Sequence, residues 1–252
     1  MTEQAAQSVV HVLWTGGWDS TYRVLQLVHE SAIAIQPHYI LDPDRPSSQR
    51  ELEAIKSVTQ GLAQHQPVGH LLSLRVTPLA GIPISDEARR LHAQLVKQYS
   101  IGEQYLWLSE YARHAGLAQL ELCVHVDDKA YAVVKALREA STTVAPPADN
   151  ALSLFERFGF PVLEVTKLQM LEAAKLFGFA DLMEKTWFCH QPTASGRPCG
   201  MCNPCRWTAE EGLSWRLPFC AKLSSLIDAR VVSFVPSMRV RKGIRKAIRQ
   251  LL

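Results

Sequence analysis

Residues 9–21 read VVHVLWTGGWDST, and this stretch limits what the chain can fold into. Seven mostly apolar, β-branched-rich residues have the pattern of a strand. They run through Gly16-Gly17 into an amphipathic helical pattern that begins without an intervening loop. A strand turning directly into a helix opens an α/β unit. Two glycines at that junction let the backbone approach a ligand that a Cβ would obstruct. The free N–H groups of the first helical turn then face an anion, with the helix dipole adding a favourable potential. Ser20 and Thr21 add hydroxyl donors, and Asp19 either holds a magnesium ion or caps the helix. The stretch is not a Walker A loop, because no Gly-Lys-Ser/Thr ends it, and it contains no Gly-x-Gly-x-x-Gly. By itself, Gly-Gly-x-Asp-Ser also reads as an ordinary capped turn.

The rest of the chain repeats the strand–helix alternation. Strands are predicted at 9–15, 35–41, 70–77, 117–126 and 161–165. Helices are predicted at 20–31, 49–63, 86–99, 103–115, 128–140 and 167–177. This order predicts an α/β fold with a mainly parallel five-stranded sheet and helices on both faces. In such a sheet ligands sit at the carboxyl ends of the strands, where the strand order reverses. The segment after Val9–Thr15 occupies one such end.

Cys189, Cys199, Cys202 and Cys205 fall within seventeen residues, in the stretch TWFCHQPTASGRPCGMCNPCRW. Thiolates spaced by two residues wrap one face of a tetrahedral zinc ion, and the distant cysteine closes it. Gly200 and Pro204 permit the tight turns this requires. Four sulfurs leave no open position, so the metal is expected to be structural, in a segment with little apolar surface of its own. A redox dithiol at Cys199 and Cys202, and His190 as a further ligand, are the minor alternatives. Cys123 and Cys220 stand apart and read as buried thiols. No secretory leader or long apolar run is apparent, so a disulfide framework is not expected and the chain reads as cytoplasmic.

Charge is uneven along the 252 residues. The formal net charge is +3, yet the last fourteen residues, RVRKGIRKAIRQLL, hold six Lys or Arg and no acid. The remainder therefore carries 21 basic against 24 acidic residues. The tail places Val240, Ile244, Ile248 and Leu252 on one helical face with cations around it, and this stripe is expected to dock on the body or on a second subunit. RNA and a membrane surface are the alternative covers.

The loop resembles the Ser-Gly-Gly-x-Asp-Ser motif of the PP-loop ATP pyrophosphatases, with Thr15 keeping the hydroxyl of the first serine. Added to it are Gln49-Arg50-Glu51 opening a helix, Val165-Thr166-Lys167 before another, and Thr186-Trp187-Phe188-Cys189 followed by the three clustered cysteines. Together they resemble the 7-cyano-7-deazaguanine synthase family of queuosine biosynthesis, over about residues 9–216. The resemblance implies a ligase. ATP adenylates the carboxylate of a 7-deazaguanine-type substrate, and ammonia supplies the nitrogen that replaces AMP. Thr15, Gly16, Gly17, Asp19, Ser20 and Thr21 would bind ATP and magnesium, and Lys167 would offset charge on the departing pyrophosphate. The implied organisation is a PP-loop domain over 1–185, a zinc module over 186–220 and a basic extension over 221–252.

The chain departs from the family pattern on the substrate side. Ser100-Ile101-Gly102-Glu103-Gln104 stands where the family carries Pro-Gly-Arg-Asn, and Cys123-Val124-His125-Val126-Asp127-Asp128 follows the fourth strand. One of His125, Asp127 and Asp128 would contact substrate, or Asp127 caps the next helix. A paralogue that attaches a deazaguanine to a macromolecule fits these departures. A PP-loop tRNA-modifying enzyme, using the basic tail against phosphates, is the second function class, and a catalytically inactive nucleotide-binding protein the third.

Overall fold

In a computed structural model of the protein, the described residues are 9–65, 67–99, 101–126, 128, 130–141, 150–230 and 232–251. In chain order they form β1 (Val9–Leu13), α1 (Trp18–Glu30), β2 (Ala34–Leu41), α2 (Ser48–Leu62), β3 (His70–Leu71), β4 (Arg75–Pro78), α3 (Asp86–Gln98) and α4 (Gln104–His114). There follow β5 (Leu120–Glu121), α5 (Tyr131–Ser141), β6 (Phe158–Gly159), α6 (Lys167–Leu176), α7 (Ala180–Glu184), α8 (Asn203–Thr208), α9 (Phe219–Arg230) and α10 (Met238–Leu251). Two compact units divide them: the described parts of 1–15, 19–42 and 65–166 form the first, and those of 16–18, 43–64 and 167–252 the second. The four-cysteine segment thus shares a unit with α2, α6 and α7.

The first unit is built on a sheet whose strands all pair in parallel, in the order β3-β2-β1-β5-β6, with β4 also on β2. The α/β expectation holds. The sheet occupies five positions but has six strands, because the expected strand at 70–77 is broken. Pro37 of β2 has no N–H to give to the ladder, and the Gln36 amide instead donates to the Ser73 carbonyl at 2.9 Å. Residues 37–40 of β2 are buried in succession, so both faces of the strand are covered. The strand order reverses at β1, which has β2 on one side and β5 on the other.

Two sequence expectations fail here. No strand forms at 161–165. Phe158–Gly159 takes the ladder beside β5, while Pro161, unable to donate, starts a turn closed by Val165 N–H on the Val162 carbonyl at 3.0 Å. The strand expected at 117–126 shrinks to Leu120–Glu121, and α5 starts at Tyr131 rather than 128. Asp128 explains the delay, since its carboxylate accepts from the Ala130 N–H at 2.8 Å and its own N–H donates to the His125 carbonyl at 2.9 Å. This local turn competes with the helix. The core packs Phe155 between Tyr105 and Phe160, with ring centroids 5.0 and 6.2 Å away, and Leu91, Leu95, Leu120 and Val133 around them.

In the second unit α2 and α6 both pack on α7. The C-terminal part has a small core whose buried members are Cys189, Cys199, Cys205, Met201, Leu217 and Ala221. With three of these six being cysteines, apolar burial alone is a weak source of stability there. The tail forms α10 as the periodicity predicts. It buries none of its described residues fully, and Ile248 packs against the cysteine core. The Ala194 N–H donates to the Arg249 carbonyl at 3.0 Å. Val240 stays exposed, and Leu252 lies outside the described residues. Among the described residues no helix is long and apolar enough to cross a membrane.

Candidate functional site

Four cysteines form a candidate metal site. The Sγ atoms of Cys189, Cys199, Cys202 and Cys205 all lie within 4.8 Å of one another. Cys202 Sγ is 3.8 Å from that of Cys189 and 3.4 Å from that of Cys205. A tetrahedral ion with zinc–sulfur bonds of about 2.3 Å needs sulfurs about 3.8 Å apart, so the set fits zinc. Backbone N–H groups already point at the sulfurs: Cys199 N–H at Cys189 Sγ (3.3 Å), and those of Met201 and Cys202 at Cys199 Sγ (3.4 Å each). Such bonds stabilise thiolates and orient the ligands. Gly200 makes the turn possible, with φ +75° and its Cβ position against the Ala221 carbonyl, so any side chain there would push α9 away. His190 is not part of the set; its Nε2 accepts from the Arg45 guanidinium at 3.0 Å.

The same unit gathers parts of every stretch that carries the family resemblance. The Trp187 N–H donates to the Gly16 carbonyl at 2.8 Å, and the Trp187 indole to the Cys189 carbonyl at 2.6 Å. The glycine-rich loop and the first metal ligand are therefore two hydrogen bonds apart. Gly16 has φ +70°, and a Cβ on it would stand 2.6 Å from the Glu51 carbonyl oxygen and 3.2 Å from Ile55. The requirement for glycine at this position comes from α2 pressing on the loop as well as from any ligand. Glu51 is buried and anchors the start of α2, accepting from Ser47 Oγ at 2.7 Å and from Arg45 at 3.0 Å.

Trp18, only 3% exposed, donates its indole N–H to the Lys167 carbonyl at 3.2 Å. Arg216 lies over the rings of Trp18 and Phe188, 4.9 and 5.1 Å from their centroids, and donates to the Thr186 carbonyl at 2.6 Å. Burial pulls Arg216 down to about 10, so it stays cationic at neutral pH. Lys167 begins α6, and its ammonium pairs with Glu211 at 2.7 Å. Arg45, Glu211 and Arg216 were not legible as site residues, because no local spacing connects them to the motifs they serve.

In the first unit the loop closes on itself. Thr15 N–H donates to Ser20 Oγ at 3.3 Å, and the two hydroxyls are 3.2 Å apart. Thr21 is fully buried and accepts from the Trp14 indole at 2.9 Å, so it packs behind the loop rather than at its surface. Arg23 ties α1 to β5 through a bidentate pair with Glu121, both bonds 2.8 Å. The half-buried thiol Cys123 follows β5; burial and then the charge of Asp19 push it well above the usual thiol range. Cys220 is likewise half-buried. His125 is buried, Asp128 is engaged in its own turn, and Asp127 lies outside the described residues, as does Ser100. A scan against family models matches none, and a search of curated proteins gives no match.

Proposed function

We propose that the chain is a PP-loop ATP-dependent carbon–nitrogen ligase resembling 7-cyano-7-deazaguanine synthase. Its reaction would adenylate a carboxylate on a 7-deazaguanine-type substrate and then transfer nitrogen from ammonia. The observation that carries this reading is the placement of Thr15-Gly16-Gly17-Trp18-Asp19-Ser20 directly after β1, the strand at which the order of a parallel sheet reverses. That is where open α/β sheets bind ligands.

The roles follow from chemistry. A carboxylate oxygen is a poor leaving group until adenylation makes it part of AMP. In-line attack on the α-phosphate requires the departing pyrophosphate to be neutralised. The N–H groups at the start of α1, with Thr15 and Ser20 hydroxyls, would hold phosphate oxygens, and Asp19 would hold magnesium, which when bound supplies charge neutralisation there. Lys167, as the resemblance implies, would offset charge on the departing pyrophosphate. Zinc in the four-cysteine site would hold Trp187, and through it the Gly16 carbonyl, in place.

A tRNA-thiolating PP-loop enzyme needs a reactive metal-free cysteine; only Cys123 and Cys220 stand outside the four-cysteine set, both half-buried, and burial raises the Cys123 thiol. Mass spectrometry of 7-carboxy-7-deazaguanine incubated with the protein, magnesium, ATP and ammonia is expected to show an amide or nitrile product. Consumption of ATP only when a macromolecular acceptor is added would favour the conjugating paralogue instead.

A further inference from the structure

Helix α9 is turned inside out. Ala221, Ser224 and Asp228 are its buried residues, whereas Phe219, Leu223, Leu226 and Ile227 are 81, 46, 55 and 38% exposed. At 100° per residue these two sets lie on opposite faces. The orientation is fixed from within. Asp228 pairs with Arg206 at 2.8 Å and with Arg245 of α10 at 2.6 and 3.0 Å, and the Ala221 backbone rests on Gly200 of the cysteine turn. Rotating the helix to bury its leucines would break these contacts. Phe234 and Met238, 79 and 62% exposed, extend the apolar surface through the 3-10 turn at Val232–Phe234, which packs on both α9 and α10. Large apolar side chains exposed on one helix face need a cover when they form a patch.

Along α9, α10 and the turn between them the exposed charge has one sign. Between Leu217 and Leu251 the exposed charged residues, among those described, are Lys222, Arg230, Arg239, Lys242 and Lys246, and the single acid, Asp228, is buried. Pairing this face with its own copy would bring cations together without a counter-charge. RNA would satisfy the cations and leave Leu223, Leu226, Ile227 and Met238 in water. An anionic phospholipid surface meets both requirements, because apolar side chains enter the headgroup–acyl boundary while Lys and Arg meet lipid phosphates. We infer that the α9–α10 face docks on the surface of an anionic phospholipid bilayer without crossing it. This surface is independent of the proposed enzymatic activity.

The test is co-sedimentation of the full chain with phosphatidylcholine vesicles containing or lacking phosphatidylglycerol. Binding is expected only with phosphatidylglycerol and is expected to weaken at high salt. Lys242→Glu/Lys246→Glu and, separately, Leu226→Glu/Phe234→Glu should each weaken it by at least about tenfold. Both pairs are exposed, so zinc content and melting temperature should be unchanged in the variants. Failure of the wild-type protein to bind phosphatidylglycerol vesicles overturns the inference. A dimeric sedimentation mass that Leu226→Glu converts to monomeric would assign the face to a second copy. RNA binding that Lys242→Glu/Lys246→Glu weakens and Leu226→Glu/Phe234→Glu does not would assign it to nucleic acid.

Discussion

His38 sits fully buried in β2, with Nε2 2.9 Å from His11 Nδ1 and Nδ1 2.6 Å from the Tyr111 hydroxyl. Burial first, then the charges of His11 and Arg75, lowers it from 6.5 to about 4, so the folded protein holds it neutral. The unfolded chain binds this proton at a higher pH than the folded one does. Stability is therefore intact above about pH 6.5 and falls as the pH drops towards 4, by up to about 3 kcal/mol from this group. Denaturant midpoints measured across that window should fall less steeply in His38→Gln than in the wild type. Equal slopes would mean that His38 does not carry the acid sensitivity. Asp228 is a second residue with a large predicted effect. Its carboxylate is 3% exposed between Arg206 and Arg245, which are 42 and 26% exposed. Asp228→Asn leaves two cations facing each other. Because both arginines reach solvent, the expected cost is about 1–3 kcal/mol, with limited proteolysis of α10 reporting its release.

At the scale of elements, Trp187 ties the cysteine segment to Gly16 through two hydrogen bonds. Metal-binding energy in such a segment is folding energy. Purified protein is expected to carry one zinc per chain, and Cys202→Ser should lose it and melt lower by more than about 10 °C. Retention of full metal content would mean that other residues are the ligands. Chelation of the wild type should also change tryptophan fluorescence and lower ATP affinity together, because Trp187 bonds to both Gly16 and Cys189. Unchanged ATP affinity after complete metal removal would uncouple the two. Gly16→Ala is expected to cost about 1–3 kcal/mol, since alanine must take φ +70° against the Glu51 carbonyl. Elements with a continuous periodic pattern, such as α1, α2 and α10, were legible in the sequence to within two residues at either end. The elements that were not legible turn on single residues. Pro37 splits the strand opposite it, and Pro161 diverts a run of apolar residues into a turn. The Asp128 carboxylate delays α5.

For the whole molecule, the parallel α/β sheet and the converging cysteines follow from strand–helix alternation and from a cysteine spacing that suits a tetrahedral metal ion. The partners of Lys167, Trp18 and Asp228 do not, because Glu211, Arg216 and Arg245 are separated from them by stretches with no shared period. The inside-out character of α9 was equally hidden, since its apolar positions look like a core face until the buried Asp228 is seen opposite them. The proposed reaction requires the loop after β1 to direct cleavage of ATP between its α and β phosphates. The most direct measurement is the product ratio from ATP with magnesium, 7-carboxy-7-deazaguanine and ammonia, followed in the wild type and in Asp19→Ala. The wild type should give AMP and pyrophosphate in equal amounts, and Asp19→Ala neither, at unchanged melting temperature. ADP and phosphate from the wild type, or undiminished AMP from Asp19→Ala, would contradict it.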